Sequence, residues 1–564
     1  MERSLSAVQV PAALAASPVR VGRRDSWPAW LLGLCVGVAY FLSSPRGGDF
    51  WWFDASRHAM NSVFVHDFFA QGGWRDPLGF AKAYYDQYPG INIGFYPPFL
   101  YAVTAPVLGL LGVGHGVCQG VVAAFAALVA MGGYAWTRPV LGRPAAVAAG
   151  LMLVLGPEMA LWGRQVQLDV PAVALLLWGA WALAKWMEAP RRRWLMLAAL
   201  LLGCAMLTRV QTVFAWPWWL AIVFLRPAGR AQPWRPRLMA TALYGVLSLP
   251  SVASAIYFAR VVGHLAGQMP DMPPLWSWAN WGWYAARFPE QLGVVGMAVL
   301  LLGVLLSAVV LVAGGALPGR RQGEPGRPAA LRSLVQGRCA LALSMALLAW
   351  GFFSAVSNKE PRFDLPVLPF ALLASFLAIG RWGQLGRAAD AALPAPRARW
   401  AAGLVMLLGA AMLAEAGLAQ RWASVPRVTG HREAALLAAR LAPAGSRVMI
   451  SAHRDGNFIF ALRADGQRPD LAVRRADKLL VDMTIMRQLG IRDRGLTEQD
   501  IEALLARERV SVVVAQTGYL GDQPSMQALD RLLSSGCCFA LRGTVPIGGA
   551  HRPDETELRV YVRR

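Results

Sequence analysis

The sequence predicts a polytopic α-helical membrane protein that carries a soluble α/β domain at its C-terminus. Three observations predict it. Hydrophobic residues make up 56% of the 564 positions and charged residues only 16%, where a soluble chain of this size carries about a quarter charged. The apolar residues come in blocks of the length, about 20 residues, that crosses a hydrocarbon core. From about Val428 onward the composition changes to that of a soluble domain. The formal net charge of +22 does not point to nucleic acid. Its Arg residues gather in short clusters between apolar blocks, the pattern of topology control by positive loops.

Residues 1–26 form an N-terminal segment with Arg20, Arg23 and Arg24, and the first apolar run is 27–44. No small-residue cleavage site follows it cleanly, so it reads as a retained helix and not a signal peptide. Further spans are expected at 115–137, 144–162, 169–187, 194–208, 211–226, 237–259, 292–316, 338–356, 363–380 and 400–419, about eleven transmembrane helices in all. The stretch Pro97 to Leu111 either spans or lies at the interface as a short helix. Charge decides. If it does not span, the clusters around Arg138/Arg143, Lys185/Arg193, Arg226/Arg237, Arg320/Arg332 and Arg381/Arg399 share the side of the N-terminal Arg residues. If it spans, every later cluster opposes the first, against the positive-inside rule.

The expected arrangement is therefore a multi-pass inner-membrane protein with a cytoplasmic N-terminus. Its transmembrane domain, 27–420, has an outer loop 45–114, a Trp-rich outer loop 260–291, and cytoplasmic linkers 317–336 and 381–399. Residues 421–564 form the periplasmic α/β domain. There, helix-like His431–Leu441 leads to a strand-like run Ser446–Ser451, helical Thr497–Arg507 precedes the β-branched run Val510–Val514, and Ser525–Leu533 reads as another helix. Helices alternating with short buried strands make a small α/β sheet. Of six Cys, four lie in apolar runs as packing residues, and adjacent Cys537 and Cys538 give no disulfide framework.

Ionisable residues in or near a membrane are costly and carry a functional hypothesis by default. Asp49 and Asp54 sit just beyond the first span, ahead of an expected interfacial helix Phe53–Phe69. They either cap that helix or do chemistry. Arg164 and Asp169 lie at the outer mouth of two spans, and Arg209 lies at another beside Gln211. Lys359, Glu360, Arg362 and Asp364 crowd a fourth outer junction. Cations there oppose the topological trend. Either an anionic ligand such as a lipid phosphate or pairing with Glu360 and Asp364 accounts for them. Carboxylates in one loop and cations at helix mouths suit transfer of a group from an anionic lipid carrier. A transporter or flippase is the alternative, but the charges avoid the midplane and no inverted repeat is evident.

The same residues resemble the polyprenyl-phosphate-dependent GT-C glycosyltransferases, the group of protein O-mannosyltransferases and lipid A aminoarabinose transferases. Asp54-Ala55-Ser56-Arg57-His58-Ala59 is similar to the acidic motif after the family's first helix, without its second carboxylate. Tyr96-Pro97-Pro98-Phe99 resembles its Lys- or His-Pro-Pro-Leu element. Arg164…Asp169-Val170-Pro171, Leu207-Thr208-Arg209 and Asn358-Lys359-Glu360-Pro361-Arg362-Phe363 resemble later elements, and the likeness runs over roughly 27–380. The resemblance implies a GT-C fold and inverting transfer from a polyprenyl-phosphate-linked sugar to an acceptor hydroxyl of an envelope glycan, lipid or protein. It implies Asp54 as base with Asp49 as understudy, and Asp169 orienting the acceptor or a metal. Lys359, Arg362 and Arg209 would hold the phosphate, with His58, Tyr96 and Arg164 as substrate contacts. Members differ in metal dependence, so a divalent metal stays open and no other cofactor is implied.

Overall fold

The computed structural model describes residues 26–92, 94–226, 232–266, 273–315, 327–356, 358–384, 396–419, 421, 425–483, 487, 490–549 and 552–564. The Arg residues of the N-terminal segment and most of the linkers 317–336 and 381–399 lie outside the described residues.

An apolar helical segment stands at each of the eleven expected positions. Among the described residues, six helices meet the length and composition needed to cross a bilayer, His115–Leu141, Asp169–Glu188 and Pro396–Leu418 included. Trp27–Ser43, Arg143–Leu155, Val210–Leu225 and Val367–Gly383 are shorter apolar helices. Phe99–Leu111 has 13 residues, about 20 Å at 1.5 Å per residue, well short of a ~30 Å hydrocarbon core. Small residues let the helices close on one another. A Cβ on Gly133 would stand 2.9 Å from Gly150 Cα, and one on Gly150 would stand 2.5 Å from the Ala130 carbonyl.

Two expected spans are broken where the chain changes direction. The run 144–162 divides into Arg143–Leu155 and Pro157–Trp162, with Gly156 between them in an extended conformation. The helix Phe288–Gly315 is interrupted at Gly293, whose φ is 73°. Beyond that break, the backbone N–H groups of Val294 and Val295 donate to the Glu415 carboxylate at 3.0 and 3.1 Å. The carboxylate thus satisfies the donors exposed where the helix restarts.

Among the described residues, the C-terminal domain has seven strands: β1 Arg447–Ser451, β2 Ala472–Arg475, β3 Val481–Met483, β4 Ile491–Asp493, β5 Val510–Gln516, β6 Phe539–Pro546 and β7 Glu557–Arg563. Five of them form a sheet in the order β2-β1-β5-β7-β6, and β3 pairs with β4. β1 is parallel to β2 and β5, while β7 is antiparallel to β5 and β6. Side chains alternate across a strand, so Met449 and Val513 enter one core, with Leu505 and Leu529 from the helices behind. Val448, Ile450, Val512 and Val514 enter the other. That second core does not stop at the domain. It runs on through Phe458 and Ile459 to Phe50, Ala55, Ala59, Met60 and Val63 of the loop that follows the first apolar helix. The loop 45–114 and the C-terminal domain therefore share one hydrophobic interior.

Candidate active site

The helix Phe53–Ala70 follows the first span after a short extended stretch, with Asp54 in its first turn. Asp54 is not the cap of that helix. The N-cap position is Trp52, and no side chain caps it. The Asp54 carboxylate turns to Arg362, whose guanidinium donates to it at 3.0 Å. Burial first, and the Asp54 carboxylate second, raise the pKa of the Tyr96 hydroxyl, which stands beside that carboxylate. Tyr96 reaches it because the Pro97-Pro98 pair ends the preceding loop and opens Phe99–Leu111, which packs on Phe53–Ala70.

Arg362 is the hub of the site. It donates to Glu360 at 2.6 Å and to the Gln167 carbonyl oxygen at 3.0 Å. Its guanidinium lies 5.0 Å from the Trp52 ring, 5.4 Å from Trp162 and 5.7 Å from Phe363. These rings shield the cation and add cation–π attraction. The amide nitrogen of Gln167 is buried and, among the described residues, has no partner. A buried donor left unpaired is costly, and here it faces the same cluster.

His58, one turn after Asp54, is buried, and its Nδ1 lies 2.8 Å from the Tyr101 hydroxyl. The Tyr96 ring stands edge-on to it at 4.6 Å. Burial drives its pKa down to about 4, with Arg362 and Arg209 adding to the effect against the opposing pull of Asp54. The ring is neutral at neutral pH. For Asp54, burial pushes the pKa up, but Arg362, His58 and the hydrogen bonds together outweigh it, and the carboxyl lies below its ordinary value. It is ionised at neutral pH. Arg209 is pushed down to about 9, by burial first and by Arg362 second.

The remaining expected residues divide. Asp169 opens its helix and forms an ion pair with Arg209, which also donates to Gln211 at 3.2 Å. Arg209 lies 5.3 Å from the Phe363 ring, so this pair adjoins the Arg362 hub. Arg164 does not pair with Asp169. It donates to the backbone carbonyls of Ala160, at 2.7 Å, and Arg421, tying the membrane helices to the connection into the C-terminal domain. Lys359 donates to the Phe353 and Ser354 carbonyls at 2.9 Å each, so it caps the end of the preceding helix and pairs with neither Glu360 nor Asp364. Asp49 accepts from the backbone N–H groups of His431 and Arg432 at 2.7 and 2.9 Å. It caps a helix, but that helix belongs to the C-terminal domain, and both its oxygens are engaged there.

Asp54, His58, Tyr96, Asp169, Arg209 and Arg362 are thus gathered, while Asp49, Arg164 and Lys359 serve the framework. Sequence reasoning missed Gln167, although the polar residues in Trp162–Asp169 stand out inside an apolar run. It also missed Tyr101, the Asn61–Asn92 side-chain bond of 2.7 Å and the Arg57–Asp455 pair, whose partners are 398 residues apart. Among the described residues, no three His, Cys, Asp or Glu side chains are grouped as a metal site.

Residues 96–258 match the family model of dolichyl-phosphate-mannose-protein mannosyltransferases. Two solved structures are similar over nearly their whole length. ArnT from Cupriavidus metallidurans in the apo state aligns with a TM-score of 0.56 and 15% identity, covering 96% of this chain and 98% of that one. The same protein bound to undecaprenyl phosphate aligns with a TM-score of 0.55 and 16% identity, covering 94% and 97%. No curated protein sequence matches the chain. The fold is the GT-C fold of ArnT. The structural likeness also extends past residue 380, where the sequence resemblance stops, through the C-terminal domain.

Proposed function

We propose that the protein is an inverting glycosyltransferase that moves a sugar from a polyprenyl-phosphate carrier to an acceptor hydroxyl at the outer face of the membrane. One observation carries this reading: a carboxylate and a guanidinium, Asp54 and Arg362, stand 3.0 Å apart at a junction the charge pattern places outside. The family match at 96–258 and the GT-C fold support it. Undecaprenyl phosphate, the ligand in one ArnT structure, is the carrier class a membrane site of this kind would take.

In this reading the lipid phosphate competes with Asp54 for Arg362, and the unpaired Gln167 amide adds a donor beside it. Arg209 supplies a second cation. As Arg362 turns to the phosphate, Asp54 becomes free to accept a proton. The acceptor oxygen then attacks the anomeric carbon, its proton passing to Asp54, while the glycosidic bond to phosphate breaks. The sugar is oxocarbenium-like at the transition state, and the cations stabilise the charge that develops on the departing phosphate. His58, neutral, holds Tyr101 and the wall of the pocket and donates no charge. Asp169 holds Arg209 toward that phosphate through their ion pair.

The test uses purified protein with short-chain polyprenyl-phosphate hexoses, mannose first, and follows release of polyprenyl phosphate. Asp54→Asn keeps shape and cannot accept a proton. It is expected to bind donor and lose turnover by roughly 10²–10⁴-fold. Full turnover in Asp54→Asn places the base elsewhere. Movement of donor across a vesicle membrane without phosphate release would favour the transporter reading instead.

A further inference from the structure

The C-terminal domain does more than pack beside the helix that carries Asp54. Arg57, one turn from Asp54, donates to Asp455 at 2.6 Å and to the Pro89 carbonyl at 3.2 Å. It joins the helix at once to the C-terminal domain and to the loop that delivers Tyr96. Asp455 is buried and also pairs with Arg475 at the end of β2, at 2.6 Å, and accepts from the Gly456 N–H at 2.8 Å. Asp455 opens the helix Asp455–Ala464, which packs against Phe53–Ala70. A Cβ on Gly456 would stand 2.3 Å from Ser56 Oγ, so a larger residue there would turn that hydroxyl away from the Phe53 carbonyl to which it donates. Just before the helix, Phe50 exchanges two backbone–side-chain bonds with Asn457, at 3.2 and 3.0 Å. At its far end Arg463 grips Asp67 at 3.0 and 2.7 Å.

Stability alone does not account for the charges in this seam. Burying a carboxylate among guanidinium groups has a desolvation cost that can exceed the attraction, and an apolar contact would hold two surfaces as well. What a buried ion pair adds is a fixed register. Here the register is the rotation of Phe53–Ala70 about its axis and its height against the Tyr96 loop, the two coordinates that set where Asp54 lies.

We propose that Arg57 and Asp455 are positioning residues that set the catalytic register of Asp54, which makes the C-terminal domain part of the catalytic apparatus. The proposal rests on the reading of Asp54 as base, and the test separates the two. The uncharged variant Arg57→Gln, the near-isosteric Asp455→Asn and their double variant are compared with Arg463→Gln, which loosens the same helix far from Asp54. Donor-binding sites are counted with a fluorescent polyprenyl-phosphate probe, and donor turnover is expressed per binding site.

Arg57→Gln and Asp455→Asn are each expected to lower kcat at least tenfold while donor KM stays within about twofold. Misplacing a reacting group by about 1 Å costs up to about 10²-fold. The double variant is expected to lose no more than either single one, because both disrupt one pair. Arg57→Lys, which keeps the charge, is expected to recover part of the loss, and Arg463→Gln to lower Tm with kcat per site unchanged. Wild-type kcat per site in Arg57→Gln or Asp455→Asn overturns the proposal. So does a loss fully explained by fewer binding sites, a loss that is additive in the double variant, or an equal kcat loss in Arg463→Gln. An inactive Asp54→Asn beside an active Arg57→Gln overturns the register alone. An active Asp54→Asn overturns the base assignment.

Discussion

At the residue scale, the two cations of the sequence Asn358-Lys359-Glu360-Pro361-Arg362 have opposite fates. Arg362 points its planar fork at Asp54, Glu360 and Gln167, while Lys359 is consumed by the carbonyls that end its own helix. Arg362→Ala is therefore expected to raise donor KM by the loss of a charge-assisted hydrogen bond, ~1.5–3 kcal/mol, with the fold intact. Lys359→Ala is expected to lower Tm and leave donor KM within a few-fold, since it unties a helix end. Titrating donor against both variants checks this. His58 gives a pH signature. Its folded pKa of about 4 lies below the ordinary 6.5 because burial disfavours the charged ring. Above pH 6.5 the neutral ring costs nothing. As pH falls from 6.5 toward 4, the unfolded chain gains a proton that the folded one refuses, and stability drops by about 3 kcal/mol. Tm measured across that window is expected to fall in the wild type and to flatten in His58→Gln.

At the element scale, the helices that carry the site are held where regular structure breaks. Gly293 has a backbone conformation that side chains do not tolerate, and a Cβ there would lie 2.4 Å from Glu415 Oε1. Gly293→Ala is expected to destabilise the protein by on the order of 1–3 kcal/mol, read as a fall in Tm. Such breaks are only partly legible in sequence. The run 144–162 is apolar apart from Glu158, so periodicity and composition describe one span, and the Gly156-Pro157 pair that divides it looks like a tolerated pair within a membrane helix. The helix Phe53–Ala70, by contrast, is legible to within a residue. Its aromatic and small residues follow a helical period, and tertiary contacts do not override it.

At the scale of the whole molecule, Asp54, Gln167, Arg209 and Arg362 come from four distant stretches of chain and meet at one end of the helices. In the eleven-crossing reading each of the four is reached after an odd number of crossings, so they belong on one side. Arg338 pairs with Glu188 at 2.7 Å, and both belong to junctions the same reading places inside. Reporter fusions after Arg193 and Arg237 are expected to report the cytoplasm, and fusions after Gly73 and Gly430 the periplasm. Identical signals from Gly73 and Arg193 would separate the site residues across the membrane and dismantle the site.

The sequence by itself determined the apolar helices, the α/β character of the C-terminal domain and the candidate stretches of the site. These follow from local causes: the length of apolar runs, the placement of Arg, and the cost of a charge near hydrocarbon. Which charge meets which was decided by the tertiary structure. Asp49 and Asp54 are five residues apart and equally acidic, and both readings of them, cap and reactant, were open. Folding sends one to the N-terminus of His431–Leu441 and the other to Arg362. Arg164 and Asp169 look like a pair and are not one, because the turn between Trp162 and Asp169 points their side chains to different neighbours. A carboxylate's role is fixed by the donor that reaches it. In this protein those donors arrive from more than 300 residues away, a distance no local pattern encodes.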